Sequence, residues 1–400
     1  MTAMELSTIS GIEVAVVIPA YNASPYLAQT LQSVVDQSHK ALEIIIVDDG
    51  STDETASICR RFAAGDPRFK LLSTANRGVA AARNFGIEAS TSGYIAFLDA
   101  DDLWHPTYVE RMLSALHPLP DAWGAVYALH RFIDSEGYCT KSGSSLNARD
   151  SILARHLVFR FVGNGSGFMV RRAVIDKIGG YDPRYARQGI GGCEDFDFEL
   201  RTAEHFKIET VPLGLVGYRL HSEAMSADKS RMARSLLAVS EQCIARNPDL
   251  PAFVISCARA SAHLYAFSKF AISKDWHSAG ISLKQIYHHS PMLASTVLAE
   301  LILSKANRAA RRTWSKAWPA KENEEKNVRK FEEIDPLSPL VGGWSRFRTK
   351  ALLQRLSEID RSGNAAPLRP RHGRRNAWRL TGQHLAITLR NMIFRQNINK

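Results

Sequence analysis

The sequence predicts an α/β protein: a doubly wound, mainly parallel sheet with flanking helices, followed by a helical C-terminal region. Three observations lead there. Short, nearly continuous apolar runs, "VAVVI", "LEIIIV" and "YIAFL", recur between residues 13 and 127. Runs of this kind suit parallel strands covered on both faces. Helix-like stretches separate them, and strand–helix alternation gives a doubly wound sheet. Finally, Tyr21 and Asn22, Asp48 and Asp49, and Asp99 and Asp101 each follow the end of an apolar run. Ligands of open α/β sheets bind beyond the carboxyl ends of the strands, so these residues mark the candidate site.

Taken in order, "EVAVVIPAYN" reads as the first strand and "SPYLAQTLQSVVDQ" as a helix. "LEIIIVDDGSTD" supplies a second strand and a turn, and "ETASICRRFAA" a helix. "RFKLLST" is a third strand, "GVAAARNFGIEAS" a helix and "GYIAFLDADD" a fourth strand. From about 128 to 220 the pattern turns irregular, with glycine-rich loops and short strands such as "TVPLGLVGYRL". Residues 228 to 310 are helical and alanine-rich, and charge runs with Pro/Gly/Arg-rich pieces follow from 311. No internal repeat is visible.

Composition narrows the class. At 45% hydrophobic and 23% charged, 400 residues make a soluble globular chain with a sizeable core. Five scattered cysteines without a CxxC pair argue against a disulfide framework or a zinc knuckle and fit a reducing compartment. The N-terminal stretch lacks a basic start, and no apolar run reaches the roughly 18 residues of a membrane span. A cytoplasmic location is expected. The net charge of +11 sits at one end: residues 311–400 carry 20 Lys and Arg against 8 Asp and Glu, a balance of +12, so the first 310 sum to −1.

Several constellations carry chemistry, each with a structural competitor. Asp99-x-Asp101 leaves two carboxylates beside each other in a turn, a donor set for Mg²⁺ or Mn²⁺, which take one or two carboxylates together with substrate phosphates. The competing role is for Asp99 or Asp102 to cap a helix starting near Pro106. In "VDDGSTDET", Ser51 and Glu54 have capping-box spacing, which leaves Asp48 and Asp49 free to accept a hydrogen bond from a nucleobase N–H. Arg83 is either a solvated helix residue or a cation offsetting the carboxylates. Glu194 and Asp195 open a helix after "GGC", as dipole-matched residues or as a general base. His221 is a candidate metal or phosphate ligand, or a packed histidine.

In order and spacing, "VVIPAYN", "VDDGSTD", "NRGVAAARNFG", "GYIAFLDADD", "GFMVRRAVIDKIGGYD", "ED" and "YRLHSEAMS" resemble the family 2 glycosyltransferases, nucleotide-sugar-dependent enzymes of GT-A fold. The resemblance covers about residues 13 to 228. It implies that Pro19, Tyr21, Asn22 and Asp49 lie around the nucleotide with Arg83 beside it, and that Asp99 contacts the ribose. It further implies that Asp101 holds Mn²⁺ or Mg²⁺ on the diphosphate with His221 near it, and that Asp195, with Glu194 beside it, serves as base. Residues 1–228 then form the catalytic domain, with nucleotide-sugar binding in 13–127 and the acceptor side in 128–228. Residues 229–310 form a helical extension, and 311–400 a basic, partly flexible region.

The implied reaction is inverting transfer from a nucleotide-sugar, with UDP as the expected nucleotide, to a saccharide or lipid-linked acceptor in cell-surface polysaccharide synthesis. Without a QxxRW motif, a non-processive enzyme is expected. The amphipathic stretches 290–312 and 385–395 suggest either packing on the domain or on a second copy, or attachment to the inner face of the cell membrane. No recognisable nucleic-acid module accompanies the basic tail. The competing classes are a sugar nucleotidyltransferase, which "PAYNASPYL" after the first strand disfavours, and an inactive scaffold, which intact Asp99, Asp101 and Asp195 disfavour.

Overall fold

The apolar runs become strands whose side chains alternate between two covered faces. The computed structural model describes residues 9–143, 147–291, 294, 329–336 and 346–362. The chain divides into two units, residues 1–231 with 329–342, and residues 232–328 with 343–400.

In the first unit β1 (Val14–Ala20), β2 (Leu42–Asp48), β3 (Phe69–Ser73) and β4 (Tyr94–Phe97) run parallel in the order β3-β2-β1-β4. Helices α1 (Leu27–Val35), α2 (Thr55–Gly65) and α3 (Val79–Glu88) connect them. Ile44 and Ile46 of β2 share a core with Leu31 of α1 and Ile58 of α2, while Ile45 and Val47 pack with Ala82 of α3. The period of two thus places α1 and α2 on one face and α3 on the other. The chain winds outward from β1 to β3 and then crosses back to β4 on β1's other side. That reversal is the topological switch point at which α/β sheets bind ligands.

Beyond β4 come β5 (Leu103–Trp104), α4 (Tyr108–Leu116), β6 (Trp123–Ile133), β7 (Cys139–Ser142), α5 (Leu153–Phe159) and β8 (Phe168–Arg171). They are followed by α6 (Arg172–Ile178), α7 (Arg184–Arg187), α8 (Glu194–His205) and β9 (Lys207–Arg219). These strands extend the sheet as β4-β8-β6-β9-β5, with β7 on β6. β8 is antiparallel to both neighbours and β9 parallel to β6, so this half is mixed. The irregular stretch expected from 128 to 220 therefore contains long strands. β6 is buried at nearly every position, so no alternation marks it, and its pairing with β9 shifts register at three places between Trp123 and His130.

Phe331 is a second departure. Residues 329–336, inside the stretch read as partly flexible, return to the first unit: Cys139 N–H donates to the Arg329 carbonyl at 3.0 Å, and Phe331 is buried with Leu103 and Ile133. The second unit holds most of α9 (Lys229–Arg246), together with α10 (Ala252–Ile272), α11 (Trp276–His289) and α12 (Arg346–Ser362). Ala258, Ala262 and Ala266 of α10 are buried, and Arg355 of α12 lies 4.3 Å from the Phe253 ring centroid. The stretch 385–395 and most of 290–312 lie outside the described residues. Among the described residues no helix is long and apolar enough to cross a membrane, and none of the five cysteines is paired.

One glycine sets how closely α3 approaches the sheet. A Cβ on Gly86 would stand 2.5 Å from Val17 Cγ1 and 3.3 Å from Val47 Cγ2. Gly86→Ala is expected to lower stability by about 1–3 kcal/mol, as overpacking does, measured by chemical denaturation.

Candidate active site

Three carboxylates follow β4 within four residues, and each receives a different partner. Asp102 is fully buried: Oδ2 accepts from Ser166 Oγ at 2.6 Å and Oδ1 from the Arg219 backbone N–H at 2.9 Å. Ser166 Oγ also accepts from the Asp99 N–H at 3.0 Å, and Thr30 Oγ1 reaches the carbonyls of Ala100 and Asp102 at 3.0 and 2.9 Å. Arg219 Nε donates to the Asp101 carbonyl at 2.7 Å. Burial first, and then the charges of Asp101 and Asp99, push the Asp102 carboxyl well above the ordinary carboxylate range. Helix capping is not its role, because α4 begins only at Tyr108 and Asp102 turns inward.

Asp102 pins the turn, and its neighbours stay open. The side chains of Asp99 and Asp101 keep 29% and 30% exposure. Asp99 pairs with Arg83, which is buried with its guanidinium 4.8 Å from the Tyr181 ring centroid. Arg83 is therefore no solvated helix residue. Burial opposes its charge, but Asp99, Tyr181 and Asp195 outweigh that and raise its pKa above the usual value. Gly165 leaves the room it needs, since a Cβ there would lie 2.7 Å from Arg83 Nη2.

Asp101 Oδ2 lies 2.8 Å from His221 Nε2. The His221 ring stands 4.6 Å from that of Tyr26, and its buried Nδ1 has no hydrogen-bond partner among the described residues. A carboxylate oxygen and an imidazole nitrogen this close suit adjacent positions on one octahedral cation, where ligands at about 2.1 Å lie roughly 3 Å apart. Among the described residues no third His, Cys, Asp or Glu joins them.

The loops after β1 and β2 brace each other. Asn22 has φ +46°, a left-handed conformation that asparagine tolerates, and its Oδ1 accepts from the Thr52 N–H at 2.9 Å. The expected capping box does not form: Ser51 Oγ accepts from the Asn22 N–H, and Glu54 accepts from Ser57 Oγ. Asp53 Oδ1 instead accepts from the Thr55 N–H at 2.9 Å at the start of α2. Asp49 is buried, and its two oxygens accept from the N–H groups of Arg77 and Gly78 at 2.9 and 2.8 Å. It thereby fixes the segment leading into α3. Pro19 is buried within β1, whereas Tyr21 is 51% exposed at its end.

Asp195 stands half-buried in the first turn of α8, on the face of the sheet that α3 shares. Phe198 of the same helix meets Phe97 of β4 edge-on at 5.8 Å. Burial raises the Asp195 carboxyl to about 7, and Glu199 adds to the shift. Arg83 and the Phe196 N–H oppose it. Glu194 turns away: it is buried, and Oε2 accepts from the Gly192 N–H at 2.7 Å, bracing the loop before α8. Sequence reasoning did not single out Ser166, Tyr181, Arg219 or Glu199. Ser166 reaches its carboxylate across 64 residues and Arg219 across 117, separations that no local spacing displays.

The sequence profile described as glycosyl transferase family 2 matches residues 15–179. An uncharacterized glycosyltransferase of Nostoc sp. is 31% identical over 236 residues, covering 56% of this chain and 71% of that protein. A putative glycosyltransferase, EpsH, of Bacillus subtilis is 31% identical over 236 residues, covering 57% and 67%. An Escherichia coli chondroitin synthase is 36% identical over 130 residues, covering 32% of this chain and 19% of that one. Among solved structures, a mannosyltransferase from Pyrobaculum calidifontis in complex with GDP-Man and Mn²⁺ aligns with TM-score 0.49 at 21% identity, covering 76% of this chain and 83% of that one.

Asp195 has a folded-state pKa above its unfolded value, so ionising it costs stability as pH climbs from 3.8 toward about 7. Asp195→Asn is expected to melt above wild type at about pH 8 and to converge with it near about pH 4, as a melting series across pH reads directly.

Proposed function

This chain belongs to glycosyl transferase family 2, and on that premise we propose that it transfers a sugar, with inversion, from a nucleoside-diphosphate sugar to an acceptor hydroxyl. The observation that carries the proposal is the partly exposed Asp195 at the start of α8, on the sheet face where Arg83 pairs with Asp99 at the end of β4; burial pushes its carboxyl up to about 7. A base with a proton affinity near the working pH combines availability with driving force.

The residues take the following parts. Asp195 removes the proton of the acceptor hydroxyl as that oxygen attacks the anomeric carbon. One base and an in-line attack invert the configuration, so an α-linked donor gives a β-linked product. Asp99 is offered to the ribose, held in place by Arg83. Tyr21, exposed at the end of β1, is offered to the base, while Pro19, Asn22 and Asp49 shape the surrounding loops. Asp101 and His221 would hold Mn²⁺ or Mg²⁺, which supplies positive charge for the departing diphosphate. The donor is proposed to be a UDP-sugar, and the acceptor a saccharide or lipid-linked hydroxyl of a surface polysaccharide.

Thermal melting with UDP, GDP, CDP or ADP, each with and without Mn²⁺, tests the donor site. A nucleotide at 100 times its dissociation constant adds about 2.7 kcal/mol. The expected result is a Mn²⁺-dependent rise with UDP that Asp101→Ala loses. Asp195→Asn should keep that rise while losing about 10²-fold or more in nucleotide release from UDP-sugars.

A further inference from the structure

The last residue of β9 carries a side chain to which the proposed chemistry gives no part. Arg219 is 1% exposed, and its guanidinium donates in three directions. Nε reaches the Asp101 carbonyl at 2.7 Å, in the turn after β4. Nη1 reaches the carbonyls of Asp134 and Ser135 at 2.9 and 2.5 Å, in the turn after β6. Nη2 reaches Gln29 Oε1 of α1 at 2.9 Å. These acceptors are neutral oxygens, so the charge of Arg219 does not by itself explain the arrangement. The fork does: a guanidinium presents five fixed donors in one plane, whereas a lysine ammonium is a single point on a flexible stem. Arg219 thereby ties together three segments that lie far apart in sequence.

The tie adjoins both proposed ligands of the cation. Asp101 is held directly, by its own carbonyl, and the Arg219 backbone N–H holds the neighbouring Asp102 at 2.9 Å. His221 is held through a ring. The Arg219 guanidinium carbon lies 4.9 Å from the Tyr26 ring centroid, and the His221 ring lies 4.6 Å from that same ring, tilted by 47°. Only Asp101 Oδ2 meets the His221 side chain by hydrogen bonding among the described residues, since its buried Nδ1 is unpaired there. A metal-binding histidine ordinarily has its second nitrogen tethered, and that tether fixes the ring. Here packing on Tyr26 takes its place. We propose that Arg219 and Tyr26 are positioning residues that set the Asp101–His221 separation for a divalent cation. Arg219 fixes the turn bearing Asp101 and, through the Tyr26 ring, the orientation of the His221 imidazole. The inference rests on the reading of Asp101 and His221 as the cation's ligands.

Titrating Mn²⁺ into the full chain with UDP, and following the free-ion electron paramagnetic resonance signal against UDP alone, reads the cation affinity without any turnover. Arg219→Lys keeps the charge and loses the fork. Tyr26→Leu keeps apolar bulk and loses the ring, whereas Tyr26→Phe keeps the ring. The Mn²⁺ affinity is expected to fall about 10-fold or more in Arg219→Lys and Tyr26→Leu, the usual cost of losing a group that orients a metal ligand. It should stay near wild type in Tyr26→Phe. UDP binding without metal, read by saturation-transfer NMR, should be the same in every chain. Should Arg219→Lys fail to fold, Tyr26→Leu, at a partly exposed position, decides the matter. A lowered melting temperature with the Mn²⁺ affinity unmoved is what a purely structural role gives, and it overturns the proposal. A wild-type chain that takes up no Mn²⁺ beside UDP removes the reading of Asp101 and His221 as well. Equal uptake by wild type and variants removes this inference alone.

Discussion

Like charge crowded at the end of a buried strand is the constraint around which the catalytic unit is arranged. Uncompensated carboxylates at such a site would be prohibitively costly to desolvate. The fold assigns them unequal positions. Asp102 goes inward, takes hydrogen bonds from Ser166 and the Arg219 backbone, and holds its proton more tightly. Asp99 and Asp101 stay partly exposed, each against one nitrogen partner, Arg83 and His221. The inward carboxyl fixes the turn, and the outward two keep unused acceptor capacity.

Those compensating groups come from distant parts of the chain, which is why the mixed half of the sheet matters. β8 follows the Gly165–Gly167 turn that carries Ser166, and β9 ends at Arg219, two residues before His221. The antiparallel insertion of β8 between β4 and β6 brings Ser166 across to the turn after β4. On the other face, α3 and α8 supply Arg83 and Asp195. Two aromatic residues that pack on Phe97, Tyr181 and Phe198, join these helices to the strand carrying the carboxylates. Packing and electrostatics therefore use the same contacts, and a core change near Phe97 is expected to be felt at Asp195.

The first four strands and the helices between them were legible because parallel strands buried on both faces leave unbroken apolar runs, as at Ile44–Val47. The carboxylates of the site were legible for the complementary reason, that charge directly after such a run needs an explanation. Long-range compensation was not. Nothing around Ser166 announces a partner at Asp102, and the spacing of Asp49 gives no sign that both its oxygens serve the backbone at Arg77 and Gly78. Ser51 and Glu54 have the spacing of a capping box but point elsewhere, because the Asn22 loop competes for Ser51. β6 and the first residues of β9 went unread, the rest of β9 being read as the short strand "TVPLGLVGYRL", and Phe331 was hidden by lying in a charge-rich tail.

The central claim is that Asp101 and His221 are a cation's protein ligands and that a nucleoside diphosphate completes the site. Pulsed electron paramagnetic resonance of Mn²⁺ with the full chain and UDP addresses it most directly. The expected result is a nitrogen modulation on the Mn²⁺ signal that appears only when UDP is present and vanishes in His221→Phe. A Mn²⁺–UDP complex bound to the protein without nitrogen modulation, or with modulation unchanged in His221→Phe, would contradict it.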